Sequence, residues 1–294
     1  MQLDQLATLA AIIDTGSFDG AAVALHITPS AVSQRVKALE TATGRVLVRR
    51  TTPCEPTAAG AVLVRMAREV ALLEADARAA LGELEGGPAT VAVAVNADSL
   101  ATWFAPVLAA AARWAGTTVD LEVEDEGHSR LLLRDGAVLG AVTSDPLPVG
   151  GCRVEALGSM RYVPVAVPEL RDRHTRGGRL DLASLPCLRV NRKDDLQAGY
   201  LRDRGVTRTP PTSQIPTSEG FRAAVAAGLG WGMLPEAQLD DDLATGRLVR
   251  LAARAHRDVP LYWQAWTLRS PRLDLLTDAV RSAARAGLRP PRGG

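Results

Sequence analysis

Lysine is almost missing from this chain: among 34 lysine and arginine side chains, only Lys37 and Lys193 are lysines. That bias suits a GC-rich coding sequence and says little about chemistry. Cysteine is scarce too. Cys54, Cys152 and Cys187 lie far apart with no C-x-x-C pair, which suggests neither a zinc site nor a disulfide framework. Reduced thiols in the cytoplasm are expected. No apolar run approaches the ~18 residues of a membrane span, and no basic-apolar-small leader opens the chain. The expectation is a protein that is neither secreted nor membrane-bound. The motifs G-x-S-x-G, H-E-x-x-H and the P-loop are all missing. His128, His174 and His256 have no obvious partners in the sequence. An enzyme would need a nucleophile–base pair assembled purely by the fold, so no catalytic residue, metal site or cofactor is expected. Gly228-Leu229-Gly230-Trp231-Gly232 resembles a nucleotide loop only superficially; it follows a helix rather than a strand and reads as a turn.

What is present points to two or three units. The chain has 294 residues with an apolar fraction of 47%, enough for ordinary cores. Its net charge of +1 means that any nucleic-acid contact must be local. Residues 17–50 supply such a place. Ser17 can cap a short helix through Ala21, Ala22, Val23 and Leu25, a tight His26-Ile27 connection follows, and Thr28-Pro29 opens a second helix. On that helix Val32, Val36 and Leu39 form one apolar stripe. Ser30, Ser33, Gln34, Lys37 and Thr41 fall on the other side. A face of hydroxyls, an amide and a cation suits a major groove, where such groups read base edges and meet phosphate. An αα-hairpin in a helical bundle would show the same small alanines. Charge placement favours DNA: residues 29–50 carry Arg35, Lys37, Arg45, Arg49 and Arg50 against Glu40 alone, whereas residues 1–28 carry only Asp4, Asp14 and Asp19.

Residues 2–14 read as a first helix with Leu3, Leu6, Ala10 and Ile13 inward. Arg45 to Thr52 reads as a wing, with Arg49 and Arg50 at its tip for phosphate or the minor groove. Together with Leu6, Leu9, Ser17, Phe18, Ala21, Ala22, Leu25, the run Thr28 to Gln34, Lys37, Leu39-Glu40, Gly44, Leu47 to Arg50, Thr57 and Gly60, the arrangement resembles the winged helix-turn-helix of the LysR-type transcriptional regulators. The expected DNA-binding residues are Ser17, Thr28, Pro29, Ser30, Ser33, Gln34, Arg35, Lys37, Arg49 and Arg50.

Thr57 to Glu85 reads as one helix. Leu63, Met66, Val70, Leu73, Ala77, Ala80 and Leu84 recur with alternating spacings of 3 and 4, a heptad seam that calls for a helix partner. At ~1.5 Å per residue it would span about 43 Å. A strut of that length lets two recognition helices sit roughly 34 Å apart in successive major grooves. The resemblance likewise implies a homodimer, or a tetramer of paired dimers, acting on double-stranded promoter DNA with RNA polymerase as a further partner and no membrane. Glu85-Gly86-Gly87-Pro88 then breaks the helix as a hinge.

Beyond it strands and helices alternate: strands at 91–95, 119–124 and 138–143 with helices at 99–114 and 129–134 between them. A second run has strands at 162–167 and 187–190 and helices at 196–204 and 219–227. A strand at 261–268 and a helix at 273–286 close the chain. The βαβαβ order predicts a parallel sheet with ligands at the strands' carboxyl ends. The expected fold is therefore an all-α winged helix-turn-helix, a linker helix, and an α/β effector domain of two periplasmic-binding-protein-like lobes. Boundaries are expected at 1–56, 57–87 and 88–294, with lobe 1 at 88–160 and 269–294 and lobe 2 at 161–268.

The strand ends carry the candidate sensor chemistry. Asn96-Ala97-Asp98-Ser99 precedes a helix that Asp98 or Ser99 can cap, and the free N–H groups there attract an anion. Glu124-Asp125-Glu126 clusters three acids, Thr143-Ser144 ends a third strand, and Thr217-Ser218-Glu219 opens another helix. One pole can hold a carboxylate and the acids a cation, as a basic amino acid requires. Ordinary caps and a solvated acidic turn explain the same residues equally well. The strings Ala94 to Trp103, Val123-Glu124-Asp125, Gly140-Ala141-Val142 and Leu261-Tyr262-Trp263 resemble the ArgP/LysG branch of the family. That branch senses lysine and arginine, in some members histidine, and controls amino-acid exporter genes. The resemblance implies effector contacts at Asn96, Asp98, Ser99, Thr102, Trp103, Glu124, Asp125, Thr143, Ser218 and Glu219.

Overall fold

Caps set the N-terminal helices. A computed structural model describes residues 1–82, 89–123 and 126–290 of the chain. Helix α1 (Leu3–Thr15) ends at Gly16, whose φ of 71° is left-handed. Ser17 caps α2 (Phe18–Ala24) by accepting the Gly20 N–H at 2.9 Å. Thr28 caps α3 (Pro29–Thr43) by accepting the Ala31 N–H at 3.2 Å, with Pro29 in the first turn. Strands β1 (Val48–Arg49) and β2 (Glu55–Pro56) pair antiparallel as the wing, so this region is mainly rather than wholly helical. Leu6, Leu9 and Ile12 of α1 bury against Ala21, Ala22, Val32, Val36, Leu39, Leu47 and Val48. Leu3 does not join them and stays exposed; the buried stripe runs through Leu6 and Leu9 instead.

Helix α4 (Ala58–Ala80) begins beside Leu47, and Gly60 is what lets it approach. A Cβ at Gly60 would lie 2.0 Å from the Leu47 carbonyl oxygen. The helix stops at Leu81, short of the expected Glu85, and the expected hinge at 85–88 lies outside the described residues. Gly60, Val64, Ala67 and Leu72 form its buried face, while Met66, Leu73, Ala77 and Ala80 of the heptad seam are exposed.

The next strands are β3 (Ala89–Val95), β4 (Thr117–Val123) and β5 (Gly140–Thr143), with α5 (Ala97–Leu100), α6 (Ala105–Ala111) and α7 (Glu126–Arg134) between them. β3 pairs in parallel with β4 on one side and with β5 on the other, as the alternating pattern predicts. The single helix expected at 99–114 is two short ones. Pro106 lacks the N–H that a continuous helix would donate to Thr102, so the chain breaks at 101–104 and restarts with Pro106 in the first turn of α6, where that N–H is not needed.

The remaining elements are β6 (Cys152–Ala166), α8 (Pro168–Arg173), β7 (Thr175–Arg176), β8 (Arg179–Leu180), β9 (Cys187–Arg189), α9 (Leu196–Arg202), β10 (Thr212–Gln214), α10 (Ser218–Ala226), β11 (Gly232–Pro235), α11 (Asp240–Ala244), β12 (Val249–Arg250), β13 (Arg257–Trp266) and α12 (Pro271–Gly287). The described residues fall into two units. One takes Met1–Val95, Ala109–Glu155 and Trp263–Ala279; the other takes Asn96–Leu108, Ala156–Tyr262 and the chain from Val280 on. In the first, Gly140 faces the Trp263 ring, which leaves no room for a Cβ. In the second, β6 lies between β11 and β12, antiparallel to both, and Val163, Val165, Leu188, Phe221, Val225, Leu234, Leu239 and Leu248 form the core. Each such fully buried apolar side chain contributes ~1.5–3 kcal/mol relative to exposure. Among the described residues no single helix is long and apolar enough to cross a membrane.

Candidate nucleic-acid interface and acidic cluster

With Val32, Val36 and Leu39 inward, α3 turns Ser33, Gln34 and Lys37 to solvent. Thr28, Pro29 and Ser30 are exposed at its N-terminus, where the Thr28 and Ser30 hydroxyls lie 2.9 Å apart. The face therefore offers an amide, three hydroxyls and an ammonium, the inventory for base edges and phosphate. Ser17 is half-buried, and its hydroxyl is engaged in capping α2. Arg35 departs from its expected place on this face. Its Nε lies 3.3 Å from the Asp4 carboxylate, and it donates to Thr8 Oγ1 at 3.4 Å, so it ties α3 to α1. On the wing, Arg49 is exposed beside Glu55 at 3.6 Å, and the Arg50 guanidinium stacks over Phe18 at 4.8 Å.

The effector candidates divide. Asn96, not Asp98 or Ser99, caps α5: its Oδ1 accepts the Ser99 N–H at 2.7 Å. That leaves the Asp98 carboxylate free of capping. Its Oδ2 accepts the Tyr162 hydroxyl at 2.8 Å and its Oδ1 the Ser218 hydroxyl at 2.6 Å. Ser99 is fully buried, and its hydroxyl has no partner. Thr102 donates to the Asp98 carbonyl at 2.6 Å. Trp103 is buried edge-on against Phe104, its indole N–H unpaired. Thr102 and Trp103 line a cavity of about 340 Å³ with Arg161, Glu236, Asp240 and Arg289, whose lining does not include Asp98 or Ser218. Glu219 is exposed in the first turn of α10. Thr143 belongs to the other unit, buried, with its hydroxyl accepting the Asp145 N–H at 3.1 Å. Glu124 and Asp125 lie outside the described residues.

The unit that holds Asp98 has a second carboxylate that the sequence reading missed. Asp194 accepts the Val190 N–H at 2.9 Å and the Leu196 N–H at 3.1 Å. Burial pushes its carboxyl above the usual carboxylate range. The two backbone N–H groups and the Gln197 amide pull the other way, and the nearby Asp98 charge adds to the rise. Gln197 itself is buried, and its carbonyl oxygen has no partner. The available signal was an acid between a strand and a helix, at Asn191 to Asp195, the same pattern that drew attention to Asn96 to Ser99.

Two family models match. The LysR-family bacterial regulatory helix-turn-helix covers residues 3–61, and the LysR substrate binding domain covers residues 85–285. The chain is 54% identical over 287 residues to the lysine export transcriptional regulatory protein LysG of Corynebacterium efficiens, covering 97% of this chain and 98% of that one. Full-length LysG from Corynebacterium glutamicum with bound effector Arg superimposes with a TM-score of 0.82 at 50% identity, covering 99% of this chain and 100% of that one. ArgP from Mycobacterium tuberculosis gives 0.87 at 47% identity over 98% of each chain. The exposed α3 face and the two-domain match agree: this chain belongs to the LysR family of bacterial regulatory helix-turn-helix proteins.

Proposed function

We propose that this regulator senses a basic amino acid, lysine, arginine or histidine, and controls an amino-acid exporter gene from promoter DNA in the cytoplasm. The observation that carries the effector reading is Asp98, a carboxylate that accepts the Tyr162 and Ser218 hydroxyls and supports the reading of a cation partner. The names of its relatives, LysG and ArgP, and the arginine bound to one of them support the same ligand class. The family resemblance adds Asn96, Ser99, Thr143, Glu219, Glu124 and Asp125 as further candidate effector contacts. The DNA reading rests on Thr28, Pro29, Ser30, Ser33, Gln34 and Lys37, with Arg49 and Arg50 at the wing.

The working division is a DNA-binding domain at 1–56, a linker at 57–87 and an effector domain at 88–294. The exposed Met66, Leu73, Ala77 and Ala80 seam on the 23-residue α4 supports a homodimer, or dimers paired into a tetramer. At 1.5 Å per residue α4 spans about 35 Å. RNA polymerase is the partner through which bound regulator changes transcription. Effector moves the equilibrium only as far as its affinities for the two protein states differ. Fluorescence anisotropy with exporter-promoter DNA at low salt, with and without arginine, lysine or histidine, tests the proposal. Specific binding that one of these amino acids alters is the expected result. Indifference to duplex DNA, or to every amino acid, overturns the corresponding half.

A further inference from the structure

Two carboxylates in one unit invite a count of what each can still accept. Asp98 spends one oxygen on Tyr162 and the other on Ser218, both hydroxyl donors that can rotate away. Asp194 spends its oxygens on the Val190 and Leu196 N–H groups and on the Gln197 amide, and a carboxylate has about four lone-pair sites, so one remains. Gln197 is 3% exposed, its amide turned to Asp194, and its carbonyl oxygen accepts nothing. A buried acceptor left unpaired is costly, so a bound donor that reached the Gln197 carbonyl beside the half-buried Asp194 would be rewarded. A ligand group that donates several hydrogen bonds and carries positive charge would suit Asp194 and the Gln197 carbonyl together, since the Asp98 charge also acts on Asp194.

A guanidinium or an ammonium meets that description. A neutral zwitterion has one cationic end; arginine and lysine have two, separated by a flexible stem. Building on the basic-amino-acid reading above, we infer that Asp98 takes the α-ammonium while Asp194 and Gln197 form a separate subsite for the side-chain cation, the end that sets specificity. The two residues sit at the start of α9, between the end of β9 and a helix whose Gly199, Tyr200 and Leu201 are buried, so the subsite is fixed to the core of its unit.

Citrulline is the probe that isolates this subsite, since it matches arginine in shape but has a neutral side chain. Isothermal titration of the full-length protein with L-arginine, L-lysine and L-citrulline is expected to show a preference for arginine over citrulline of at least about 100-fold. Asp194→Asn should collapse that preference below about 5-fold by weakening arginine and sparing citrulline. Gln197→Met removes only the unpaired acceptor and the amide, and should weaken arginine about 10-fold with citrulline changed less than about 3-fold. The second variant keeps both backbone contacts of Asp194, and so tests the inference even if Asp194→Asn melts early. Equal losses for arginine and citrulline, or no loss in either variant, overturn the subsite. Wild-type protein that binds arginine and citrulline alike also overturns it while leaving the effector reading in place. Binding of none of the three ligands sinks both.

Discussion

The helix-turn-helix and the acidic cluster are assembled with opposite economies of chain. Thr28, Ser33, Gln34 and Lys37 come from one capped helix, so a few consecutive residues fix both the fold and the face it presents. Asp98 meets Tyr162 across 64 residues and Ser218 across 120. A face written in one helix tolerates change elsewhere in the chain. A site assembled from three segments depends on the core that brings them together.

The largest expected effect tests the assembled site. Asp98→Asn removes a charge that two hydroxyls hold and that the proposed cationic ligand would share, and hydrogen bonds to charged groups are worth about 1.5–3 kcal/mol. Arginine and citrulline should both bind roughly 10- to 100-fold more weakly by calorimetry. DNA affinity without effector should stay unchanged. A matching fall in DNA affinity would mean that the two regions are not separable.

Gly60→Ala strikes the local region instead. The added methyl would meet the Leu47 carbonyl at 2.0 Å, a contact that forces the start of α4 away from the segment just before β1. Overpacking of this kind costs typically about 1–3 kcal/mol. The unfolding midpoint of the N-terminal region should drop and DNA binding weaken, while arginine affinity measured below that midpoint holds. Unaltered melting would show that the helix start gives way more easily than its packing suggests.

Lys37 and Arg35 divide the basic charge of α3. Lys37→Ala should weaken DNA binding and lower the slope of log affinity against log salt by about one unit. Arg35 lies against Asp4 and Thr8, so Arg35→Ala should leave that slope alone and destabilise the α1–α3 contact slightly. A salt slope that falls for Arg35 and not for Lys37 would reverse the assignment.

The tie of Arg35 to Asp4 and Thr8 shows where reading a sequence stops. Caps at Ser17 and Thr28, the stripe Val32-Val36-Leu39 and the parallel order of β3, β4 and β5 were legible because their causes lie within a few residues or in a simple period. The Asp4 partner of Arg35 sits on another helix, 31 positions back by number, and no spacing rule announces it. Tyr162 was seen only as part of a strand, because its hydroxyl acquires meaning when β6 faces α5. The position of Asp98 or Ser99 at a helix start suggests a cap, a task that Asn96 performs. Trp103, in the turn between α5 and α6, is buried against Phe104 and also borders the cavity lined by Arg161 and Glu236.

The smallest expected effect lies in the turn between α2 and α3. There the Ile27 N–H reaches the Ala22 carbonyl at 3.0 Å and the His26 N–H reaches the Val23 carbonyl at 3.2 Å, the paired bonds of a Schellman cap. The left-handed position of that cap is filled by His26 at φ 54°, whereas α1 and α3 end on Gly16 and Gly44 in the same conformation. An L-residue held left-handed costs roughly 1–2 kcal/mol, and glycine returns part of any gain through its freer unfolded chain. His26→Gly should therefore raise stability by about 0.5–1 kcal/mol in a denaturant titration. His26 is exposed and sits directly before the Thr28 end of the recognition helix. If the variant is more stable and binds DNA as before, the histidine is an ordinary tolerated residue. If it is more stable but binds DNA several-fold more weakly, the turn gives up stability to place an imidazole near the phosphates, and even the most local part of the chain carries a functional strain.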